Sequence, residues 1–199
     1  MLSSLQIDAL REMSNIGCGN AAPALSTMLN RRVDMQIPNV NILPLADVAD
    51  SLGGAELVLT GVFFQATDEL TCSILWLLKQ ESVTKLLSIL LDSEITSKPP
   101  YSSMEQSALM EVGNILSSSY LSALSTFTGL KYQLSVPALA TDMAGAILDI
   151  ALMQLGAYSD QALIIENTLC DGDESVEATF LLIPDVPLLE RIFELLGVA

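Results

Sequence analysis

Asp8-Ala9-Leu10-Arg11-Glu12-Met13-Ser14-Asn15-Ile16-Gly17 and Ser107-Ala108-Leu109-Met110-Glu111-Val112-Gly113-Asn114-Ile115-Leu116 are two versions of one stretch, 99 positions apart. Ala9-Leu10 falls on Ala108-Leu109, Glu12 on Glu111, Asn15 on Asn114 and Ile16 on Ile115. Outward from this pair the match continues, with Ala24-Leu25-Ser26-Thr27 on Ala123-Leu124-Ser125-Thr126 and Pro38 on Pro137. The chain is a duplication, and what one copy builds the other builds again.

Each copy opens with a long helix, over Leu5 to Asn30 and over Met104 to Gly129. Capping boxes start them, Ser3 with Gln6 and Ser102 with Glu105, and Gly129 provides a left-handed stop for the second. A strand follows, Val33 to Leu43 or Leu130 to Leu139, and then a short helix around Leu45 to Leu52 or Asp142 to Gln154. Next is a hairpin. In the first copy Glu56 to Ala66 and Leu70 to Leu78 flank Thr67-Asp68-Glu69; in the second Ala162 to Cys170 and Val176 to Ile183 flank Asp171-Gly172-Asp173. Closing helices span Gln80 to Leu91 and Val186 to Leu196. Ile74 to Leu91 matches Thr179 to Leu196 at an offset of 105, so about six residues entered between the copies. Thr96-Ser97-Lys98-Pro99-Pro100 is the seam, because consecutive prolines cannot continue a helix. The expectation is an internally duplicated α+β protein with pseudo-twofold symmetry, one domain over residues 1–199 made of two repeats, about 1–95 and 101–199. Its six strands form one continuous antiparallel sheet or two abutting sheets, with the motif-bearing long helices packed on it.

Composition narrows the chemistry. The 199 residues are 51% hydrophobic, enough for a sizeable core, yet no apolar run is long enough to span a bilayer. The N-terminus lacks the basic start and apolar stretch of a secretory signal, so a cytoplasmic protein is expected. With 24 acidic residues against 8 basic ones and a net charge of -16, a nucleic-acid partner is excluded and a partner bearing exposed Lys or Arg fits. Cys18, Cys72 and Cys170 form no metal or disulfide pattern. There is no histidine, which removes Ser-His and Cys-His catalysis. Carboxylates, amides and hydroxyls are left.

Such groups recur on the long helices. Asp8, Glu12 and Asn15, and Ser107, Glu111 and Asn114, are spaced four and then three apart, which puts each trio on one face. The opposite faces carry Leu10, Met13, Gly17, Ala21, Ala24 and Met28, and Leu109, Val112, Leu116, Tyr120 and Ala123, and are read as core. A single polar trio is ordinarily a solvated face. Here Glu and Asn persist in both copies while neighbours such as Arg11 and Met110 have diverged, and Asn is a poor helix-interior residue. The pair has a task. Around the first copy, Gly17 and Gly19 are assigned to helix packing, Pro23 to a kink, and Cys18, with no basic neighbour, to packing.

Both copies fit Asp/Ser-x3-Glu-x2-Asn-x22-Pro, as Asp8, Glu12, Asn15, Pro38 and as Ser107, Glu111, Asn114, Pro137. In this the chain resembles the CheC–CheX–FliY phosphatases of chemotaxis, and two motifs in a chain of this length resemble the CheC type. The resemblance implies a hydrolase acting on the aspartyl phosphate of a CheY-like receiver in two-component signalling. The receiver supplies its own Mg²⁺, so no cofactor or metal of this chain is implied. Asn15 or Asn114 would orient the attacking water and Glu12 or Glu111 would pair with the receiver's lysine, with Asp8, Pro38, Ser107 and Pro137 in support. The resemblance further implies CheD as a partner on the segment from Ala140 to Gln154, with Asp142 and Asp149 as contacts. Asp142 is preferred because it begins the helix. A monomer is expected. The alternative is a non-catalytic adaptor that binds a receiver or CheD.

Overall fold

The computed structural model of the chain describes residues 4–96, 98–153, 160–172 and 174–195. The first copy runs α1 (Ser4–Leu29), β1 (Asp34–Pro44), α2 (Leu45–Ser51), β2 (Val58–Asp68), β3 (Cys72–Lys79) and α3 (Gln80–Leu91). The second runs α4 (Ser103–Thr128), β4 (Tyr132–Leu134), β5 (Ala138–Met143), α5 (Ala144–Met153), β6 (Gln161–Asp171), β7 (Glu174–Pro184) and α6 (Val186–Leu195). The Ser102 hydroxyl accepts from the Glu105 N–H at 3.3 Å while the Glu105 carboxylate accepts from the Ser102 N–H at 2.7 Å, so α4 starts with the expected capping box. Gly129, at φ 75°, ends it. The box of Ser3 with Gln6 falls outside the described residues. α1 continues on both sides of Pro23.

Among the described residues the strands form one antiparallel seven-stranded sheet in the order β1-β6-β7-β3-β2-β4, with β5 also on β2. Each copy hands its post-helix strand to the other copy's hairpin: β1 pairs with β6, and β4 and β5 pair with β2. The two hairpins meet at β3 and β7, where Leu75 opposes Leu181. The strand expected over Leu130 to Leu139 is two strands, β4 and β5. Residues 135–137 interrupt it at Pro137, which has no N–H to give the ladder.

The core has two layers. Val62, Phe64, Ile74, Trp76, Phe180 and Leu182 pack with Leu10, Leu25, Leu109 and Leu121 beneath the long helices. On the other face Leu75, Leu77, Leu181 and Ile183 pack with Val48 of α2 and Ile147 of α5. Residues 72–78 of β3 are consequently buried without interruption, since helices cover both sides of the middle of the sheet. This arrangement corrects the offset of 105. It sends Val83 to Leu188 and Leu87 to Ile192, all buried, so it holds for the closing helices. It sends Trp76 to Leu181, yet these face opposite layers. Side chains alternate along a strand, so an odd offset turns every one of them over. The strands therefore correspond at an even offset.

Burial follows the expected stripe on α4, where Leu109, Val112, Leu116, Tyr120 and Ala123 are all buried. On α1 it departs. Leu10, Met13, Ala21 and Leu25 are buried, but Ala24 and Met28 are exposed. A step of four residues advances the stripe about 40° around the helix, and by the last turn it has moved to Leu25.

Candidate functional site

Where α1 and α4 cross, the glycine of the first motif is used up in packing. A Cβ on Gly17 would lie 2.7 Å from Cδ1 of Tyr120 and 3.2 Å from its Cα, so the helices touch almost backbone to ring. Gly19, by contrast, faces open space. Tyr120 stacks on Phe180 with centroids 4.4 Å apart, and its hydroxyl lies 3.0 Å from the Cys18 sulfur. Burial pushes the Cys18 thiol up and the hydrogen bond to Tyr120 only partly opposes it; burial also pushes the Tyr120 phenol up. A thiol that stays protonated is no nucleophile, so Cys18 is packing.

This crossing anchors the apolar faces and turns the polar trios outward. Asp8, Glu12 and Asn15 are exposed on α1; Ser107 and Glu111 are exposed and Asn114 half-buried on α4. Among the described residues no hydrogen bond or ion pair engages the side chains of Glu12, Asn15, Glu111 or Asn114. Asn and Glu three apart on one face stand roughly 5–6 Å apart at Cβ. Each copy thus presents one carboxylate and one amide, both unspent.

The prolines explain themselves through strand register. Between the pairs Gln36↔Thr168 and Asn39↔Glu166, β1 carries Ile37 and Pro38 against the single residue Asn167. Between Ala66↔Leu134 and Phe63↔Ala138, Ser135, Val136 and Pro137 stand against Phe64 and Gln65. Both copies gain one residue at the same place. Each motif proline sits in a β-bulge beside its motif helix, where a missing N–H costs nothing and the strand is bent locally. In the second copy the bulge opens further. The Ser135 hydroxyl accepts from the Gln65 N–H at 2.9 Å, and the Ser135 N–H donates to the Gln65 carbonyl at 2.9 Å, so the broken ladder remains satisfied.

The opened bulge and α4 form a groove. Ser107, Glu111, Asn114 and Pro137 all line it, together with Met110, Leu134, Ser135 and Val136. Four residues separated by up to thirty positions in the chain thus line one groove. Leu134, Ser135 and Val136 were not singled out in the sequence, although their place just before Pro137 was a signal. The remaining expected site residues lie elsewhere. Asp149 is exposed on α5, and Asp142 is exposed but does not begin the helix. Asp142 lies in β5 opposite Leu59, and its carboxylate accepts from the Met143 N–H at 2.8 Å. Pairing with β2 keeps the chain extended to Met143, so α5 starts at Ala144. Gln154, the expected end of that segment, is outside the described residues. Among the described residues, no helix is long and apolar enough to cross a membrane.

The family model described as CheC-like family matches residues 5–42 and 104–140, which are the two helix-to-bulge units. The CheY-P phosphatase CheC of Bacillus subtilis (strain 168) is 31% identical over 96% of this chain and 94% of its own length. The putative CheY-P phosphatase CheC1 of Halobacterium salinarum is 25% identical, over 94% of this chain and 93% of its own. In fold, the crystal structure of Thermotoga maritima FliY is similar at TM-score 0.73 and 19% identity, covering 99% of this chain and 98% of that one.

Proposed function

Because the chain belongs to the CheC-like family, we propose that it hydrolyses the aspartyl phosphate of a CheY-like response regulator, as a chemotaxis phosphatase. The observation that supports this most is the duplicated delivery of an unengaged Glu and Asn beside a proline bulge, Glu12 and Asn15 at one face and Glu111 and Asn114 at the other.

The chemistry fits the groups present. An aspartyl phosphate already sits on its own receiver, so the phosphatase needs to supply position and not a nucleophile. The Asn15 or Asn114 amide donates and accepts at once, which fixes a water in line with the phosphorus. Glu12 or Glu111 pairs with the receiver's lysine and sets the register of docking. Asp8 and Ser107 flank these groups on the helices, and Pro38 and Pro137 shape the strand beside them. Held in a near-attack geometry, the water gains several kcal/mol of barrier lowering from orientation alone. Mg²⁺, in this reading, is held by the receiver. The chain works in the cytoplasm, as a monomer that folds as one domain of two repeats.

The test is the decay of the phosphorylated receiver with and without this protein. Asn15→Ala and Asn114→Ala each retain acceleration, and the double variant loses about a hundredfold or more, the scale of removing one polar group aimed at a reacting centre. Binding to the phosphorylated receiver without faster decay would establish the adaptor in place of the enzyme. A CheD partner is the second reading. It is favoured by apolar exposure around Asp149, where Met143 and Ile150 are nearly half exposed and Met153 is 83% exposed. Unchanged CheD affinity in Asp149→Lys and Asp142→Lys would remove it.

A further inference from the structure

The two faces share Glu, Asn and the proline bulge but differ in the residues at their rims. On α1, Arg11 stands where α4 has Met110, and Asp8 stands where α4 has Ser107. Arg11 Nη1 lies 3.5 Å from Asp8 Oδ1, with the two side chains 42% and 65% exposed. Its Nε is shielded from solvent and has no partner among the described residues, while its Nη1 is turned toward Asp8. The first face is a patch of fixed charge around Glu12.

At the second face, none of the groove residues beside Glu111 and Asn114 carries a charge, and apart from Ser107 and Ser135 they are apolar. Met110, Leu134, Val136 and Pro137 line the groove with them. Val136 is 87% exposed, whereas Ile37, its counterpart in the first copy, is half-buried and packs on the core. The cause is the bulge. In β1 the strand resumes its ladder at once, which keeps Ile37 on the sheet; in the second copy the chain leaves the ladder for residues 135–137 and carries Val136 out. A bare valine on the rim of a polar site loses hydration only when a partner covers it.

We propose that the two faces take a phosphorylated receiver domain by different chemistry: the Arg11–Asp8 pair makes docking at the first face depend on charged groups beside the receiver's lysine, while Val136 makes docking at the second depend on an apolar patch there. Arg11 and Val136 are specificity-determining residues, one per face. The inference rests on the phosphatase reading. It gives one chain two preferences among receivers that share the same active-site chemistry.

Single-face variants separate the two. Asn15→Ala leaves the second face working and Asn114→Ala the first, and kcat/KM toward the phosphorylated receiver is measured in each at about 50 and 500 mM KCl, a range over which exposed charges become screened. The long-range field of a chain of charge -16 acts on both faces, so the difference between the variants carries the information. Turnover through the first face falls at least about threefold more than through the second, and adding Arg11→Met with Asp8→Ser removes that excess. In the Asn15→Ala background, Val136→Ser raises KM about fivefold with kcat held, as expected for lost apolar docking. Equal salt sensitivity of the faces, or no rise in KM with Val136→Ser, overturns the inference while leaving the phosphatase reading standing. If the unaltered chain does not speed decay at all, the phosphatase reading fails and this inference fails with it.

Discussion

The unit of α1 with β1 and the unit of α4 with β4 and β5 began as the same sequence and have kept the same extra residue in the strand. In β1 the bulge closes after Pro38 and the ladder resumes at Asn39↔Glu166. In the second copy it breaks the strand in two, and Ser135 repairs the ladder with its side chain. The helices diverged in the opposite sense. The glycine that lets them meet, Gly17, lies in the first copy, and the ring that fills its space, Tyr120, lies in the second. What both copies retain is the outward carboxylate, the outward amide and the bulge. What differs is the packing and the rim, where either solution supports the same presentation.

The largest effect comes from separating the units. Expressed apart, residues 1–99 lose β4 and β5 from the edge of β2, residues 100–199 lose β1 from the edge of β6, and both lose the β3–β7 pairing and the helix that packs against their own. Neither half gives a cooperative thermal transition alone, and mixing them restores one. A half that melts cooperatively by itself would show the units to be two independent domains.

A sharper contrast lies within one helix. Gly17→Ala puts a methyl into a stacked, buried ring and costs about 1–3 kcal/mol in denaturant unfolding. Gly19→Ala meets nothing within 4 Å and gains about 0.5–1 kcal/mol from helix propensity. Opposite signs two residues apart would mark the crossing of α1 and α4 as the place where the copies became complementary.

The smallest effect is a dependence on pH. Burial raises the Cys18, Cys72 and Tyr120 pKa values, so the unfolded chain loses these protons before the folded one does. Their contribution is complete below the thiol's ordinary 9.0 and declines as pH rises past it. The denaturant midpoint falls above about pH 9, and the fall is shallower in Cys18→Ala, which removes one of the three titrating groups and leaves Cys72 and Tyr120.

Legibility followed the range of the interactions. α3 has the limits read from the sequence, and α1, α2 and α4 differ from the reading by a residue or so at their ends, since caps and a 3.6-residue period are local. The stripe on α1 was misread at Ala24 and Met28 because the direction in which a stripe drifts depends on what covers it. Asp142 was read into a helix because nothing local announces the β2 strand that holds it extended. The motif residues could be named, yet the groove around Asn114 could not, as its wall comes from a bulge whose opening depends on the strand opposite.

Spacing along one chain is enough to establish that there are two copies, that each bears Glu and Asn on one helical face, and that a proline follows at fixed distance. It takes the folded sheet to show that the copies exchange strands, that β3 and β7 correspond at an even offset, and that Val136 is bared while Ile37 is half-buried. Side-chain alternation makes a strand's two faces interchangeable in sequence, and only the partner strand and the helix above it settle which face turns inward.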